Sequence, residues 1–224
     1  MGCDIHVFVE RFDREKNKWF AADNWIKNNN GDVGVPYDER IYSGRNYNLF
    51  AILANVRNGR GFAGIKTGEG FDPIDEPRGL PVDVTREVRA EMDGWGDDGH
   101  SHSYVGLREL LEYDFDGKAV KQYGVISSKD YEAWSKNRGE PSVYWGASFG
   151  PEEITLDEAK YLRSVANGQD FTGKNVNVRV SWVQSYRDAV GKDSEFFTKT
   201  MPRMLELSQT NYREDVRLVF CFDN

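Results

Sequence analysis

Two apolar segments at opposite ends of the chain constrain its fold more than any other feature. In residues 3–11 (CDIHVFVER) apolar side chains occupy every second position, and Asp4 and His6 lie between them. This period of two is typical of a β-strand with one polar face. Residues 215–222 (DVRLVFCF) predict another strand. Both segments are apolar enough for the interior of a sheet, so we expect them in one sheet. If they are neighbours, Asp223 comes close to Asp4 or His6.

The spacing of apolar residues and the positions of capping residues predict several helices between these strands. Asp83 and Ser103 are the expected N-caps of two helices, and Thr155 with Glu158 forms a capping box for a third. We expect Pro202 to kink the last helix. Helices are predicted at 46–57, 84–92, 104–113, 128–135, 156–166 and 194–208, and further strands at 141–149 and 176–182.

The composition predicts one folded domain covering residues 1–224. Apolar residues make up 39% of the chain and aromatic residues 13%, which is enough for a core despite a mean hydropathy of −0.68. The order of elements predicts an α/β or α+β fold, with helices packed on a mixed sheet that contains both terminal strands. Residues 59–81 are rich in Gly and Pro and predict a long loop, either a binding loop or lid or a surface excursion.

The formal net charge of −8 disfavours general nucleic-acid binding, because phosphate backbones are held by surplus Lys and Arg. A small anionic ligand needs only a local cluster of positive groups and stays open. The sequence contains neither a signal peptide nor a run of about 20 apolar residues, so we expect a cytoplasmic protein without a membrane span. Homo-oligomerisation is compatible with the sequence, although no heptad repeat argues for it.

Cys3 and Cys221 are the two cysteines of the chain, and each lies in an apolar segment near one end. They predict buried free thiols on neighbouring strands of a cytoplasmic protein rather than a secretory disulfide. In an alternative interpretation, Cys3 adds a soft ligand to a metal held by Asp4 and His6.

All three histidines lie in two short clusters that also contain Asp. The first cluster is Asp4-Ile5-His6, and the second is DDGHSHS, from Asp97 to Ser103. Alternate residues of an extended segment point the same way, so each cluster can present two polar side chains to one small volume. We therefore expect the two clusters to meet in one polar site. A helix beginning after Ser103 would add positive potential for a phosphate there.

One hypothesis is a metal centre formed by Asp4, His6, Asp98, His100 and His102, with Asp97 as an alternative to Asp98. Imidazoles and carboxylates are the usual ligands of a divalent ion such as Zn, Mn or Mg in hydrolases. The spacing matches no zinc finger, no HExxH helix and no P-loop.

A second hypothesis needs no metal. His6 and either His100 or His102 act as general base and general acid, and Asp4 and Asp98 tune them through hydrogen bonds. Two opposed imidazoles suit cleavage of a phosphodiester. A third interpretation is structural, with the Asp and His pairs bonding to each other and tying the first strand to the mid-chain loop.

Arg45, Asn46, Tyr47 and Arg78 are candidate ligand-binding residues. Arg side chains beside glycines are well shaped for bidentate phosphate binding, and a nearby aromatic ring can stack on a base. The structural alternative is that these Arg side chains pair with local Asp and Glu. Trp95, between two glycines, is expected to contribute to packing.

The segments MGCDIH, GRNYNLF, EPRGLP, WGDDGHSHS and RLVFCFDN resemble a family of uncharacterised proteins of bacteriophages and bacteria. The resemblance covers nearly the whole chain. The resemblance implies where the protein acts rather than how it acts. It implies a phage-encoded protein in the host cytoplasm. By analogy with other small phage proteins, it implies action against host defence, for which nucleotide signals are one target.

Together these observations predict a cytoplasmic hydrolase of a phosphoester or nucleotide, with catalytic His6, Asp98, His100 and His102 and a suspected divalent metal. Its expected partner is a small anionic nucleotide, for which a host immune signal is one candidate. Two alternatives of other classes stay open. One is a protein that sequesters a nucleotide without cutting it, and the other is an inhibitor that binds a host protein through its aromatic surface.

Overall fold

The computed structural model describes residues 2–27, 31, 33–144, 146, 161, 164, 177–208 and 212–223. The chain divides into two compact units, each described here by itself. The first unit comprises residues 1–58, 72–114 and 190–224, and the second comprises 59–71 and 115–189. Most of the helix predicted at 156–166 lies outside the described residues. The single domain covering residues 1–224 stays a prediction.

The strands of the first unit are β1 (Asp4–Asp13), β2 (Lys18–Ala21), β3 (Ile26–Lys27), β4 (Val33–Gly34), β5 (His100–Gly106) and β8 (Val216–Asp223). The strands numbered between β5 and β8 belong to the second unit. Four of them form a sheet in the order β2-β1-β8-β5, and β3 pairs with β4. In the sheet, Asp4 lies opposite Asp223 and His6 lies opposite Cys221. The predicted α+β class with both terminal strands in one sheet is confirmed. The sheet is antiparallel in all its pairings, however, and not mixed.

The helices are α1 (Tyr47–Ala54), α2 (Arg86–Asp93), α3 (Leu107–Glu112), α4 (Ser128–Ser135), α5 (Tyr186–Val190) and α6 (Met201–Leu207). Among the described residues, none of them combines the length and the apolar character needed to cross a bilayer. Two predicted N-caps are wrong, because Thr85 and Gly106 occupy those positions in place of Asp83 and Ser103.

The second correction changes the surroundings of the histidines. Residues 104–106 continue β5, so α3 begins at Leu107 and the His100–Ser103 segment is strand. The expected phosphate site at a helix N-terminus beside His100 and His102 is therefore not formed. The kink expected at Pro202 stays a prediction. A π-helical turn over Phe196–Thr200 runs into α6, and Pro202, which lacks an N–H group, lies in the first turn of α6.

Strand β8 is buried on both faces, which explains its nearly continuous run of apolar residues. On one face Phe222 packs against Phe50 of α1, with ring centroids 5.2 Å apart. On the other face Cys221 belongs to a cluster with Phe8 of β1 and Met92 of α2. Side chains of the sheet therefore alternate between a face covered by α1, called the α1 face below, and a face covered by α2, called the α2 face.

A buried ion pair lies on the α2 face, towards the C-terminal end of β1. The carboxylate of Glu10 is 0% exposed and accepts hydrogen bonds from Nε of Arg217 and from the backbone N–H of Thr85, both at 2.7 Å. Arg217 also donates to Asp83 at 2.8 Å, and its guanidinium lies 3.8 Å from the ring centroid of Trp19. These contacts join β1, β8 and the start of α2.

The second unit is built on a two-stranded antiparallel sheet of β6 (Ala119–Ser127) and β7 (Asn177–Ser185). One face of this sheet packs on α4 through a cluster of Ile126, Tyr131, Trp134, Val178, Val180 and Trp182. The loop predicted at 59–81 is confirmed, because the one helix or strand assigned within it is a short 3-10 turn, Phe62–Gly64. Residues 59–71 of the loop belong to the second unit and residues 72–81 to the first. The strand predicted at 141–149 is not found over residues 141–144, and most of its remainder lies outside the described residues.

Candidate functional site

The three histidines divide between the two faces of the sheet. Directly opposed residues of paired strands point to the same face, so His6, opposite Cys221, lies on the α2 face. His100 is opposite Phe222 and shares the α1 face with it. A β-bulge follows, in which Ser101 has φ +51°, and it places His102 back on the α2 face. The two histidine clusters were expected to meet in one site. His6 and His102 lie on the same face of the sheet, but β8 lies between their strands, so the expectation is confirmed only in part. For His100, which lies on the opposite face, the expectation is wrong.

The imidazole of His6 is buried but has no hydrogen-bond partner within the described part of the chain. The residue is 7% exposed, and both ring nitrogens are enclosed. The ring stacks on Trp95 with centroids 3.8 Å apart and an interplanar angle of 27°. Its Nε2 lies 3.7 Å from Oδ1 of Asp223, beyond hydrogen-bond distance. Buried polar groups of this kind are rare, so this one calls for a partner.

Burial lowers the pKa of His6, because the charged imidazolium is poorly solvated there. The carboxylate of Asp223 acts in the opposite direction, and the positive charge of Arg40 lowers the pKa again. Because the ordinary value of a histidine is about 6.5, His6 is neutral at pH 7. One of its nitrogens can then donate a hydrogen bond while the other accepts one.

Asp4 lies on the same face but is turned towards solvent and held by Arg45. Nε and Nη2 of Arg45 donate to the two carboxylate oxygens at 2.6 and 2.5 Å. This bidentate contact holds the pKa of Asp4 below its usual value. The backbone N–H of Asp4 donates to Oδ1 of Asp223 at 3.1 Å. The prediction that Asp223 comes near Asp4 and His6 is confirmed.

His102 lies near the same Trp95, because the side chains of both residues approach Gly99. A Cβ atom built on Gly99 would lie 2.8 Å from Cβ of Trp95 and 3.5 Å from Cε1 of His102, so the three residues are closely packed. His100 instead stacks on Phe222, with centroids 6.1 Å apart, and its Nδ1 lies 3.0 Å from Oγ of Ser101.

The predicted five-residue metal centre is not assembled in the described residues. His6 and His100 lie on opposite faces of the sheet, and Asp98 is exposed in the 3-10 turn Gly96–Asp98. Within the described part of the chain, no three His, Cys, Asp or Glu side chains are grouped so that they could hold a metal ion. The suspected divalent cofactor itself stays a prediction.

Arg78 has a structural role that its sequence context did not reveal. Its guanidinium donates to Asp75 at 2.7 Å and to both oxygens of Glu109 at 2.6 and 3.1 Å. The carboxylate of Glu109 in turn accepts the N–H of Gly106 at the start of α3. These donors are already occupied, so the structure argues against the predicted phosphate contact and for the alternative of local ion pairing.

Asn46 and Tyr47 are also occupied by contacts within the fold. The side-chain oxygen of Asn46 caps α1 by accepting the N–H of Leu49, and its amide group donates to the carbonyl of Val190 at 2.7 Å. The hydroxyl of Tyr47 accepts the N–H of Cys3 at 3.2 Å. Of the four predicted ligand-binding residues, only Arg45 borders the His6 site.

Arg40 is a residue of the site that sequence reasoning missed. Its Nε is buried without a hydrogen-bond partner among the described residues, and its charge acts on His6. The segment from residue 36 to residue 46 contains no histidine and no regular alternation, so local sequence gave no signal for Arg40. Trp95 was expected to pack, which is confirmed, but its contact with His6 depends on the tertiary fold.

The cysteines are free and buried, as predicted. Cys221 is the cross-strand neighbour of His6, yet it is 0% exposed. Burial raises its pKa to about 12, so the reactive thiolate is suppressed at neutral pH. Cys221 therefore contributes to packing and is not paired with His6 as a nucleophile.

Comparison of the chain with models of protein families, with curated proteins and with solved structures gave no match. The arguments for function therefore come from the site itself, whose members are Asp4, His6, Arg40, Arg45, Trp95, His102 and Asp223.

Proposed function

We propose that this protein binds a small anionic ligand of the nucleotide class at His6 and hydrolyses its phosphoester bond by acid–base catalysis. One observation carries the proposal. The imidazole of His6 is more than nine-tenths buried, yet neither ring nitrogen has a hydrogen-bond partner within the described residues. A bound ligand would supply that partner.

Two guanidinium groups near His6 offer contacts to an anion, although the carboxylates of Asp223 and Asp4 also act on its ring. Arg40 acts on the ring, and its own Nε is buried without a partner in the described part of the chain. Arg45 adds a second guanidinium, and because its side chain is 52% exposed its contact with Asp4 can be exchanged for a phosphate at little cost. Guanidinium groups match phosphate geometry. Trp95 supplies an aromatic surface beside the same ring.

The proposed chemistry uses His6 as general base. Its lowered pKa keeps the ring neutral at pH 7, so it can accept a proton from an attacking water. Asp223, 3.7 Å away, would stabilise the imidazolium that forms. His102, on the same face and beyond β8, is the candidate for the proton donor. Adjacent strands lie about 4.8 Å apart, so the two histidine backbones are separated by roughly 10 Å.

Capture without cleavage is the second candidate. It is favoured by the absence, among the described residues, of a grouped metal-ligand set and by the engagement of Arg78 in local ion pairs. In either case the resemblance to phage proteins suggests a host nucleotide signal in the cytoplasm as the target.

The test uses a matched pair of variants, His6→Gln and His100→Gln. The purified protein and both variants are incubated with a panel of cyclic dinucleotides and NAD-derived nucleotides, denatured, and the nucleotides are separated by chromatography. We expect products from the parent protein and from His100→Gln, which alters the opposite face, and none from His6→Gln. Intact nucleotide released after denaturation indicates capture.

The pH profile gives a further readout. Turnover should need neutral His6, so its acid limb should lie below pH 6.5, the ordinary pKa of histidine. NMR of the imidazole should show the His6 resonances moving when a nucleotide is added, even if Gln at position 6 impairs folding. Absence of binding and of turnover across the panel, or equal turnover by His6→Gln, refutes the proposal. Stoichiometric metal found by elemental analysis, together with activity lost on chelation, would replace the metal-free mechanism.

A further inference from the structure

The second unit carries a cluster of positive charge on the outer face of its sheet. Tyr123 of β6 lies opposite Ser181 of β7, on the face away from the core cluster of Ile126 and Trp182. Three cations surround its ring. The charged atoms of Lys66, Arg179 and Lys121 lie 5.2, 5.6 and 5.7 Å from the ring centroid. We call Lys66, Lys121, Tyr123 and Arg179 the Tyr123 surface.

Two of these three cations form no salt bridge within the part of the chain that the structure describes. Lys121 and Arg179 are exposed, and in the described residues neither lies within salt-bridge distance of a carboxylate. Lys66 pairs with Glu69 at 3.3 Å, but both side chains are about half exposed, so that contact is weak. Three like charges held around one ring repel each other, and an anion bound there would relieve the repulsion.

Charge is also distributed unequally between the two units. Residues 59–71 and 115–189 contain 12 Lys or Arg and 11 Asp or Glu, a formal charge of +1, whereas the whole chain carries −8. The remaining residues therefore carry −9. Clustered cations on the less acidic unit are the electrostatic footprint expected for an anionic partner.

The shape of the surface selects the kind of anion. Small molecules are usually bound in concave pockets. The Tyr123 surface is instead a set of exposed and half-buried side chains beside Val183, which is 65% exposed, although Val125 on the same face is buried. An aromatic ring among cations on an exposed sheet face is the arrangement by which proteins bind single-stranded nucleic acid, with a base stacked on the ring and phosphates on the cations. We propose that the Tyr123 surface binds a short stretch of single-stranded nucleic acid. This binding is independent of the function proposed at His6.

The experiment measures binding of the full chain to a fluorescein-labelled oligothymidylate of about 12 nucleotides by fluorescence anisotropy. We compare the parent protein with the double variant Lys121→Ala/Arg179→Ala. The matched control is Lys129→Ala/Lys136→Ala, which removes the same charge from an exposed position on α4 and from its exposed C-cap. At about 50 mM salt the first double variant should weaken binding about tenfold or more, and the control should change it less than about twofold.

Two further readouts identify the ligand chemistry. The logarithm of affinity should fall linearly with the logarithm of salt concentration, and loss of two phosphate contacts should make the slope shallower by about 1.4. Tyr123→Leu should weaken oligothymidylate binding on the order of tenfold but leave polyglutamate binding unchanged, because only a base stacks.

Three results overturn the proposal. They are absence of oligonucleotide binding at low salt, equal loss of affinity in the two double variants, and polyglutamate binding as tightly as oligothymidylate. The last result would assign the surface to an acidic protein segment. Circular dichroism and thermal unfolding of each variant confirm that the exposed substitutions leave the fold intact.

Discussion

Replacing Arg217 with Met tests whether the buried ion pair of the first unit holds its sheet and α2 together. The substitution keeps a long apolar side chain against Trp19 but removes the charge. Glu10 is then left in a fully buried position with the N–H of Thr85 as a remaining donor. Asp83 loses a partner as well, but its side chain is 54% exposed and can be solvated.

The expected magnitude follows from the burial of Glu10. Breaking a buried ion pair by removing one partner destabilises a protein by roughly 3–5 kcal/mol, because the other charge stays buried without compensation. Loss of the guanidinium contact with Trp19 adds about 1 kcal/mol. We therefore expect Arg217→Met to lower the free energy of unfolding by about 5 kcal/mol, a large part of the roughly 5–15 kcal/mol of a typical domain.

The assay is urea denaturation followed by circular dichroism, with Arg108→Met as the control. Arg108 donates to Glu214 at 3.0 Å, but both side chains are about half exposed, so its removal should cost about 1 kcal/mol or less. Adding Glu10→Leu to Arg217→Met should restore most of the loss, since no uncompensated charge remains. If Arg217→Met costs no more than Arg108→Met, the reasoning from burial is wrong.

Two further predictions concern stability. Burial raises the pKa of Asp23 to about 7, above the value near 3.9 of an unfolded chain, so stability falls as pH rises from about 4 to 7. Asp23→Asn, which still accepts the N–H of Val9, should therefore be more stable than the parent by up to about 4 kcal/mol at pH 8 and equal to it near pH 4, in denaturation curves at both pH values. Asn46→Ala removes the cap on Leu49 and the bond to Val190 and should cost about 1–2 kcal/mol in urea, whereas Asn46→Ser should recover part of this; equal stability of all three proteins would refute the capping role.

Much of the fold was predictable because its signals are local. Alternation in residues 3–11 and 215–222 predicted β1 and β8, and their apolar character predicted interior positions in one sheet. Helix α1 follows from helical spacing after the cap Asn46. The antiparallel direction of every strand pair and the division into two units depend on contacts between distant segments, which no local pattern encodes.

The candidate site was predictable only in part. Proximity of Asp223 to Asp4 and His6 followed from pairing the terminal strands. The role of Arg40 did not follow, because a single half-buried cation gives no periodic signal. For a related reason the sequence left the phosphate contact and the local ion pairing of Arg78 both open. A guanidinium looks the same in sequence whether it is open to a ligand or bonded to a carboxylate 31 positions away, as it is to Glu109.

The sequence by itself determined that the chain begins and ends in strands of one sheet and that its histidines lie on extended backbone. Only the tertiary structure decided which face each histidine takes. Side chains of a strand alternate with a period of two, so one extra residue reverses every face that follows. Ser101 is the extra residue of the bulge. It places His100 on the face opposite to His6, and it leaves His102 on the face where Trp95 stacks on His6.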